Sequence, residues 1–246
     1  MILQDTIPYD VHAPRPLPGI APLAADDWLR VDDAFAEQMA ERERLIADRR
    51  AAVIALDESV RAAAEELLDM VLAQVLGTTL YARDGDAVIR PDGRRVEIDR
   101  DDPMATLGRL VQEDFCILDK RGDEHVLLGA VLCFPASWSL DEKFRRPLIG
   151  IHIPVESYDA NIARRVQRLF DGVQPERPLW RFNALWYDDP ALHQPRREGE
   201  RRDRVDPAGA AFLRSEMQTV RRLPQSRAVV FGIHTYVLAR ADVGQG

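Results

Sequence analysis

Cysteine is almost absent from this sequence: Cys116 and Cys133 are the only two, and neither belongs to a CxxC pair or to a set that could close a four-ligand zinc site. A structural metal is not expected, and the thiols are expected to stay reduced. Lysine is nearly missing as well. Lys120 and Lys143 are the only lysines among 33 basic residues, which reads as a compositional bias and not as an arginine-specific function. Positive charge is in deficit overall, with a net charge of -8. Nucleic acid and anionic lipid attract proteins through clustered positive charge, so neither is an expected partner. No apolar run approaches the roughly 20 residues of a membrane span, and MILQDTIPYD has no basic region followed by an apolar stretch. The expected location is the cytoplasm.

Several catalytic signatures are also missing. There is no GxSxG elbow and no serine placed for a triad, so a hydrolase has little support. Neither GxxxxGKS/T nor GxGxxG occurs to cradle a nucleotide phosphate, and HExxH and HxxxH are absent. The five histidines, His12, His125, His152, His193 and His234, lie far apart in the chain, which favours an isolated axial ligand over a multi-histidine cluster.

What is present is the composition of a folded protein: 46% hydrophobic and 30% charged over 246 residues, enough for a sizeable core. Residues 1–25 carry Pro8, Pro14, Pro16, Pro18 and Pro22 and read as an extended arm; 26–240 read as one domain and 241–246 as a tail. Helical spacing over 31–50 and 59–76 predicts an N-terminal helical hairpin, with Asp32 or Asp33 as a cap. Two Asp-Gly turn signals within 80–102 predict a small hairpin. A helix over 104–113, capped by Asp101 or Asp102 with Pro103 early, leads into the strand FCILD. The run 125–134 predicts a strand buried on both faces, 148–155 a short strand ended by proline, and 158–170 an amphipathic helix. A strand over 178–187, a mobile loop over 188–208, and strands over 212–223 and 228–238 complete the chain. Helices first and many short strands afterwards predict an α+β fold, with an antiparallel sheet and helices gathered on one side.

His12 and His193 fall in polar, proline-rich segments and read as surface residues, while His125 begins an apolar strand. His152 and His234 sit in the apolar segments IGIHIPV and VVFGIHTYV, where an imidazole needs partners or a metal to offset its burial. Taken alone, each reads first as a satisfied core histidine.

The order of motifs in the second half changes that weighing. Val111-Gln112-Glu113-Asp114-Phe115, Leu132-Cys133-Phe134-Pro135-Ala136-Ser137-Trp138, Lys143, Pro147-Leu148 and Ile151-His152-Ile153-Pro154-Val155 follow one another. Arg181-Phe182-Asn183, the run from Glu216 to Pro224 and Val230-Phe231-Gly232-Ile233-His234-Thr235-Tyr236 come next. Together they resemble the α-subunit-like family of the haem-dependent oxidative N-demethylase, over roughly 18–240. The resemblance implies a PAS-like domain, a five-stranded antiparallel sheet flanked by helices, that holds haem b and activates O2. The substrate it implies is a small secondary amine such as dimethylamine, oxidised to a primary amine and formaldehyde, with electrons from a partner reductase carrying flavin and an iron–sulfur cluster. It makes His152 the candidate metal ligand, Arg221, Arg222, Arg181 and Lys143 candidate propionate partners, and Trp138, Phe134 and Phe231 candidate porphyrin contacts. Glu113, Asp114 and Glu216 are the carboxylates inside matching motifs and the candidate catalytic groups. The chain departs from the pattern twice: Ala184-Leu185 precede Trp186 where a tryptophan should follow Asn183 directly, and His234 stands where a basic residue is more familiar. A non-catalytic haem-binding sensor or a haem-free binding module is the alternative.

Overall fold

The computed structural model describes residues 1–13, 19–152, 160–200 and 205–244; for Ala25, His152 and residues 160–164 it describes the backbone alone. Ten strands and seven α-helices are assigned among these residues, besides three short 3-10 turns. In chain order they are β1 (Ala21–Pro22), α1 (Phe35–Asp48), α2 (Arg50–Val53), β2 (Ile54–Leu56), α3 (Arg61–Leu76), β3 (Ala82–Asp84), β4 (Ala87–Ile89) and β5 (Arg95–Glu97). Then come α4 (Pro103–Leu110), β6 (Asp114–Arg121), β7 (Glu124–Val131), α5 (Leu140–Lys143), α6 (Leu148–His152), α7 (Ala160–Gly172), β8 (Leu179–Tyr187), β9 (Phe212–Arg222) and β10 (Val229–Ala239).

The main sheet has the order β1-β8-β9-β10-β6-β7-β2, antiparallel throughout. Five long strands are thus flanked by two short edge strands, which close the ladder where β7 and β8 would otherwise present unpaired amides. Alternate residues of its strands enter different apolar clusters, as the period of two requires. Phe115, Ile117, Val230 and Tyr236 join a core with α1, α3 and α4, whereas Cys116, Leu118, Val229 and Ile233 join a second cluster with Leu148, Phe170 and Val173. The fold is α+β, a large antiparallel sheet flanked by helices.

Local chemistry explains most of the elements. In α3, Ala64, Leu67, Leu68, Val71, Leu72 and Val75 form the buried stripe. Asp102 caps α4 by accepting from the Ala105 amide, and Pro103 occupies the first turn, where a missing N–H costs nothing. The β9–β10 turn closes with Leu223 N donating to Ala228 O, and Glu66 of α3 accepts the amides of Gln225 and Ser226 at 2.6 and 2.8 Å. Gly85 and Gly93 take positive φ at the turns of a separate three-stranded sheet β3-β4-β5, one strand more than the hairpin read from the Asp-Gly signals.

Three expectations are corrected. The chain between α1 and α3 forms the edge strand β2, and α4 packs on both helices, so the two do not make a simple hairpin. Residues 148–152 are the helix α6 and not the start of a strand; the rest of that expected strand, 153–155, lies outside the described residues. The period of so short an apolar run cannot separate helix from strand, and the carbonyl of Pro147, just before α6, accepts the Ile151 amide at 3.0 Å to close its first turn. The 188–200 stretch is docked and not free: Leu192 is buried, Gln194 N donates to Pro135 O, and His193 Nδ1 lies 2.8 Å from Cys133 O, which leaves His193 half-buried.

Candidate functional site

Two groups of polar side chains are built into the main sheet, one on each face. On the face covered by α6 and α7, register sets Arg181 beside Gln218 and Ile233, and Asn183 beside Glu216 and Thr235. The next row is Leu179, Val220, Phe231 and Cys116. Four strands therefore bring residues more than 100 positions apart in sequence into one surface, where Val220 and Ile233 belong to an apolar cluster that Phe231, Trp138 and Ile151 also join. Glu216 is held firmly: Asn183 Nδ2 and Gln218 Nε2 donate to its Oε2 at 3.1 and 3.0 Å, and Arg214 Nη2 lies 4.0 Å from Oε1. Arg181 is half-buried, burial pushes its pKa down with Glu216 opposing, and its Nε is buried with no hydrogen-bond partner among the described residues. A buried donor without an acceptor costs about 1–3 kcal/mol, so this guanidinium suits a bound anion or acceptor better than an empty surface.

On the opposite face a closed network surrounds His234. Its Nδ1 lies 2.9 Å from Glu113 Oε1 and its Nε2 3.0 Å from Asp32 Oδ2. Burial opposes charge on this ring, but the bonds and fields of Asp32 and Glu113 outweigh it and raise the pKa to about 9. The imidazolium in turn holds Asp32 below its ordinary value against the effect of burial. Gln112 donates to Asp32 Oδ1 at 2.7 Å and to Gln38 Oε1 at 3.0 Å, while Gln4 donates to Asp32 Oδ2 at 2.9 Å. His234 is thus a buried cation, which accounts for its standing at a position where the resemblance leads one to expect a basic residue.

A second buried charge pair lies alongside. Arg42 donates to Asp114 Oδ1 at 2.7 Å and to the carbonyls of Gly108, Gln112 and Glu113. Asp114 accepts the amides of Cys133 and Phe134 at 2.7 and 2.8 Å, so two successive donors in the turn leaving β7 are satisfied by a charge that is itself paired. Arg214 completes the support from the other side, donating to Phe134 O at 2.7 Å and Leu192 O at 2.9 Å.

The structure separates the residues singled out from sequence. Arg181, Glu216 and Phe231 share the face next to α6, and Trp138 packs there too. Arg221 lies on the opposite face, its guanidinium 4.3 Å above the Trp28 ring and its pKa pushed down by burial. Arg222 is consumed by main-chain carbonyls at the end of α7, donating to Val173 O at 2.8 Å and to Phe170 O. Phe134 belongs to the core shared with α1, 5.3 Å below Arg42. Lys143 is buried and donates to Ile151 O at 2.8 Å and Glu198 Oε1 at 2.6 Å. The side chain of His152 lies outside the described residues, and only its place at the end of α6 is known.

Sequence reasoning missed Arg42, Gln38, Gln4, Arg214 and Glu198. Each has at least one partner more than 50 positions away, and a lone polar or charged residue in a helix, strand or loop gives no signal of such a partner. A surface groove of about 510 Å³ between Glu41, Arg44, Arg49 and residues 189–193 lies apart from both networks. Its Glu41 and Arg44 neutralise each other.

The chain is an α+β protein with a cluster of polar side chains on one face of a large antiparallel sheet. Comparison with known families carries this further: residues 19–245 match the family described as haem-dependent oxidative N-demethylase, alpha subunit-like. The chain belongs to that family, whose description makes it haem-dependent and oxidative. No helix among the described residues is long and apolar enough to cross a membrane.

Proposed function

We propose that this chain is the haem-binding catalytic subunit of an oxidative N-demethylase, with a PAS-like fold and haem b held between the Arg181–Phe231 face of the sheet and the end of α6. The observation that carries the reading is the convergence on one sheet face of Arg181, Asn183, Glu216, Gln218 and Phe231, all from segments inside the family match. A porphyrin with two propionates needs an apolar surface, a cation with room for another acceptor and a nearby axial ligand. Ile233, Val220 and Phe231 supply the first, Arg181 with its unpartnered Nε the second, and His152 at the end of α6 the third. These residues fit the group.

Haem, when bound, supplies a redox iron at which O2 is reduced and an amine N-methyl group is oxidised, the products being formaldehyde and the demethylated amine. The chain itself binds and orients. Val220, Phe231 and Trp138 exclude water, Arg181 balances propionate charge, and Glu216, fixed by Asn183 and Gln218, offers negative charge to a small ammonium such as dimethylammonium. Glu113 and Asp114 serve the same site from behind, by holding His234 and the turn after β7. Arg221 sits over Trp28 on the opposite face and takes no part in this site, and Arg222 acts by fixing the end of α7. Electrons come from a partner reductase with flavin and an iron–sulfur cluster.

The test is dimethylamine-dependent O2 uptake and formaldehyde release by the haem-loaded chain with a chemical reductant. Turnover is expected in the unaltered protein, and Glu216→Gln is expected to raise KM for the cationic amine about tenfold or more, since one charge is lost from the site. Haem bound without turnover on any secondary amine supports a sensor instead, and no haem bound supports a haem-free module.

A further inference from the structure

Lys143 is one of only two lysines in the chain, and the residue is buried at 4% exposure. Burying a charge is costly unless it is paired, so its partners indicate what it is there to hold. One is Glu198 Oε1 at 2.6 Å, a carboxylate also reached by Arg146 at 3.1 Å. The other is the carbonyl of Ile151 at 2.8 Å, the oxygen of the peptide that joins Ile151 to His152. That carbonyl sits in the last turn of α6, where the helix itself provides no N–H donor and a cation is a favourable partner.

The start of α6 is fixed independently. Arg145 N donates to Leu127 O at 2.8 Å and Leu127 N to Arg146 O at 3.1 Å, which stitches the residues before Pro147 onto β7. Glu198 is fixed too: its amide donates to Glu142 Oε2 at 2.9 Å, and Arg197 reaches Asp141 Oδ2 at 3.1 Å. α5, α6 and the 188–200 segment therefore meet at one ammonium group.

We infer that Lys143, backed by Glu198, is a positioning residue that clamps the backbone carrying His152, rather than a partner of the propionates. This rests on the proposed role of His152. Lys143 sets where that residue starts from, and Glu198 makes the setting depend on the 188–200 segment packed against the β7 exit.

The experiment uses the full-length chain with two variants, Lys143→Met, which keeps the apolar stem, and Glu198→Gln, which alters a half-exposed residue and spares the core. Hydrogen exchange is followed across 148–152 without haem, and haem loss to excess apomyoglobin is followed with haem. Lys143→Met should speed exchange there by about tenfold or more, Glu198→Gln by less, and haem loss should rise in the same order. In a His152→Ala background, Lys143→Met should add nothing to haem loss, because a positioning residue acts only through the residue it positions. Unchanged exchange in both variants overturns the clamp, and an additive effect in the His152→Ala background overturns the positioning role. If His152→Ala leaves haem loss unchanged, the reading of His152 fails and the positioning role fails with it; the exchange arm still reports whether the clamp exists.

Discussion

A histidine at position 234 keeps its proton because two carboxylates outweigh the cost of burying it, and the balance can be read by titration. The folded pKa of about 9 lies above the ordinary 6.5, so the stabilisation it brings is complete below about 6.5 and is lost as pH rises through 9. Asp32 acts in the opposite direction: its lowered pKa stabilises the fold above the ordinary carboxylate value and loses that effect as pH falls through the folded value. The unfolding free energy from urea titrations should therefore fall between pH 7 and pH 10 by an amount on the order of 3 kcal/mol. His234→Gln should lower the midpoint at pH 7 and flatten this alkaline slope; an unchanged slope would mean that another group carries it. Arg42→Met should be as damaging in a different way. It leaves Asp114 charged and buried, which costs about 3–5 kcal/mol, and the companion Asp114→Asn should recover part of that loss in a double-mutant cycle.

At the scale of elements, α4 is where the helical layer meets the sheet. A Cβ at Gly108 would stand 2.7 Å from Val131 Cγ2 and 2.8 Å from Ile46 Cδ1, so α1, α4 and β7 touch through a glycine. Gly108→Ala should destabilise the protein by roughly 1–3 kcal/mol in chemical denaturation, against the small gain that alanine brings to an open helix position. The strands β6, β7, β8, β9 and β10 were all legible in the sequence, because their apolar runs, Pro135 and the Pro224-Gln225-Ser226 turn bound them clearly. α4 was legible for the same reason, through Asp102 and Pro103. The edge strand β2 was not, since three residues carry no measurable period, and neither was α6, where a short apolar run fits helix and strand equally. The site was legible in composition and not in arrangement. Motif order singled out Arg181, Glu216, Arg221 and His234 alike, but only strand register shows that the first two share one face of the sheet and the last two the other.

Taken whole, the molecule is held by contacts that join its two ends. Gln4 exchanges main-chain and side-chain bonds with Val237, and Tyr9 stacks 4.5 Å from Phe182 and meets the Tyr236 ring at 5.9 Å. The expected extended arm is therefore structural in residues 1–13, where it covers β8 and β10 and supplies Gln4 to the His234 network. Removing residues 1–12 should lower the melting temperature, because β8 and β10 lose the cover of Tyr9 and Asp32 loses the Gln4 donor. Calorimetry at pH 7 measures the loss, and an unchanged melting temperature would contradict it. The central claim concerns the other face of the sheet, and the absorption spectrum of the chain purified with haem supplied tests it most directly. A Soret band present in the unaltered protein and in His12→Ala, where the histidine is exposed, but lost or shifted in His152→Ala, is the predicted result. A fully folded protein that takes up no haem, or a band indifferent to His152→Ala, would contradict it.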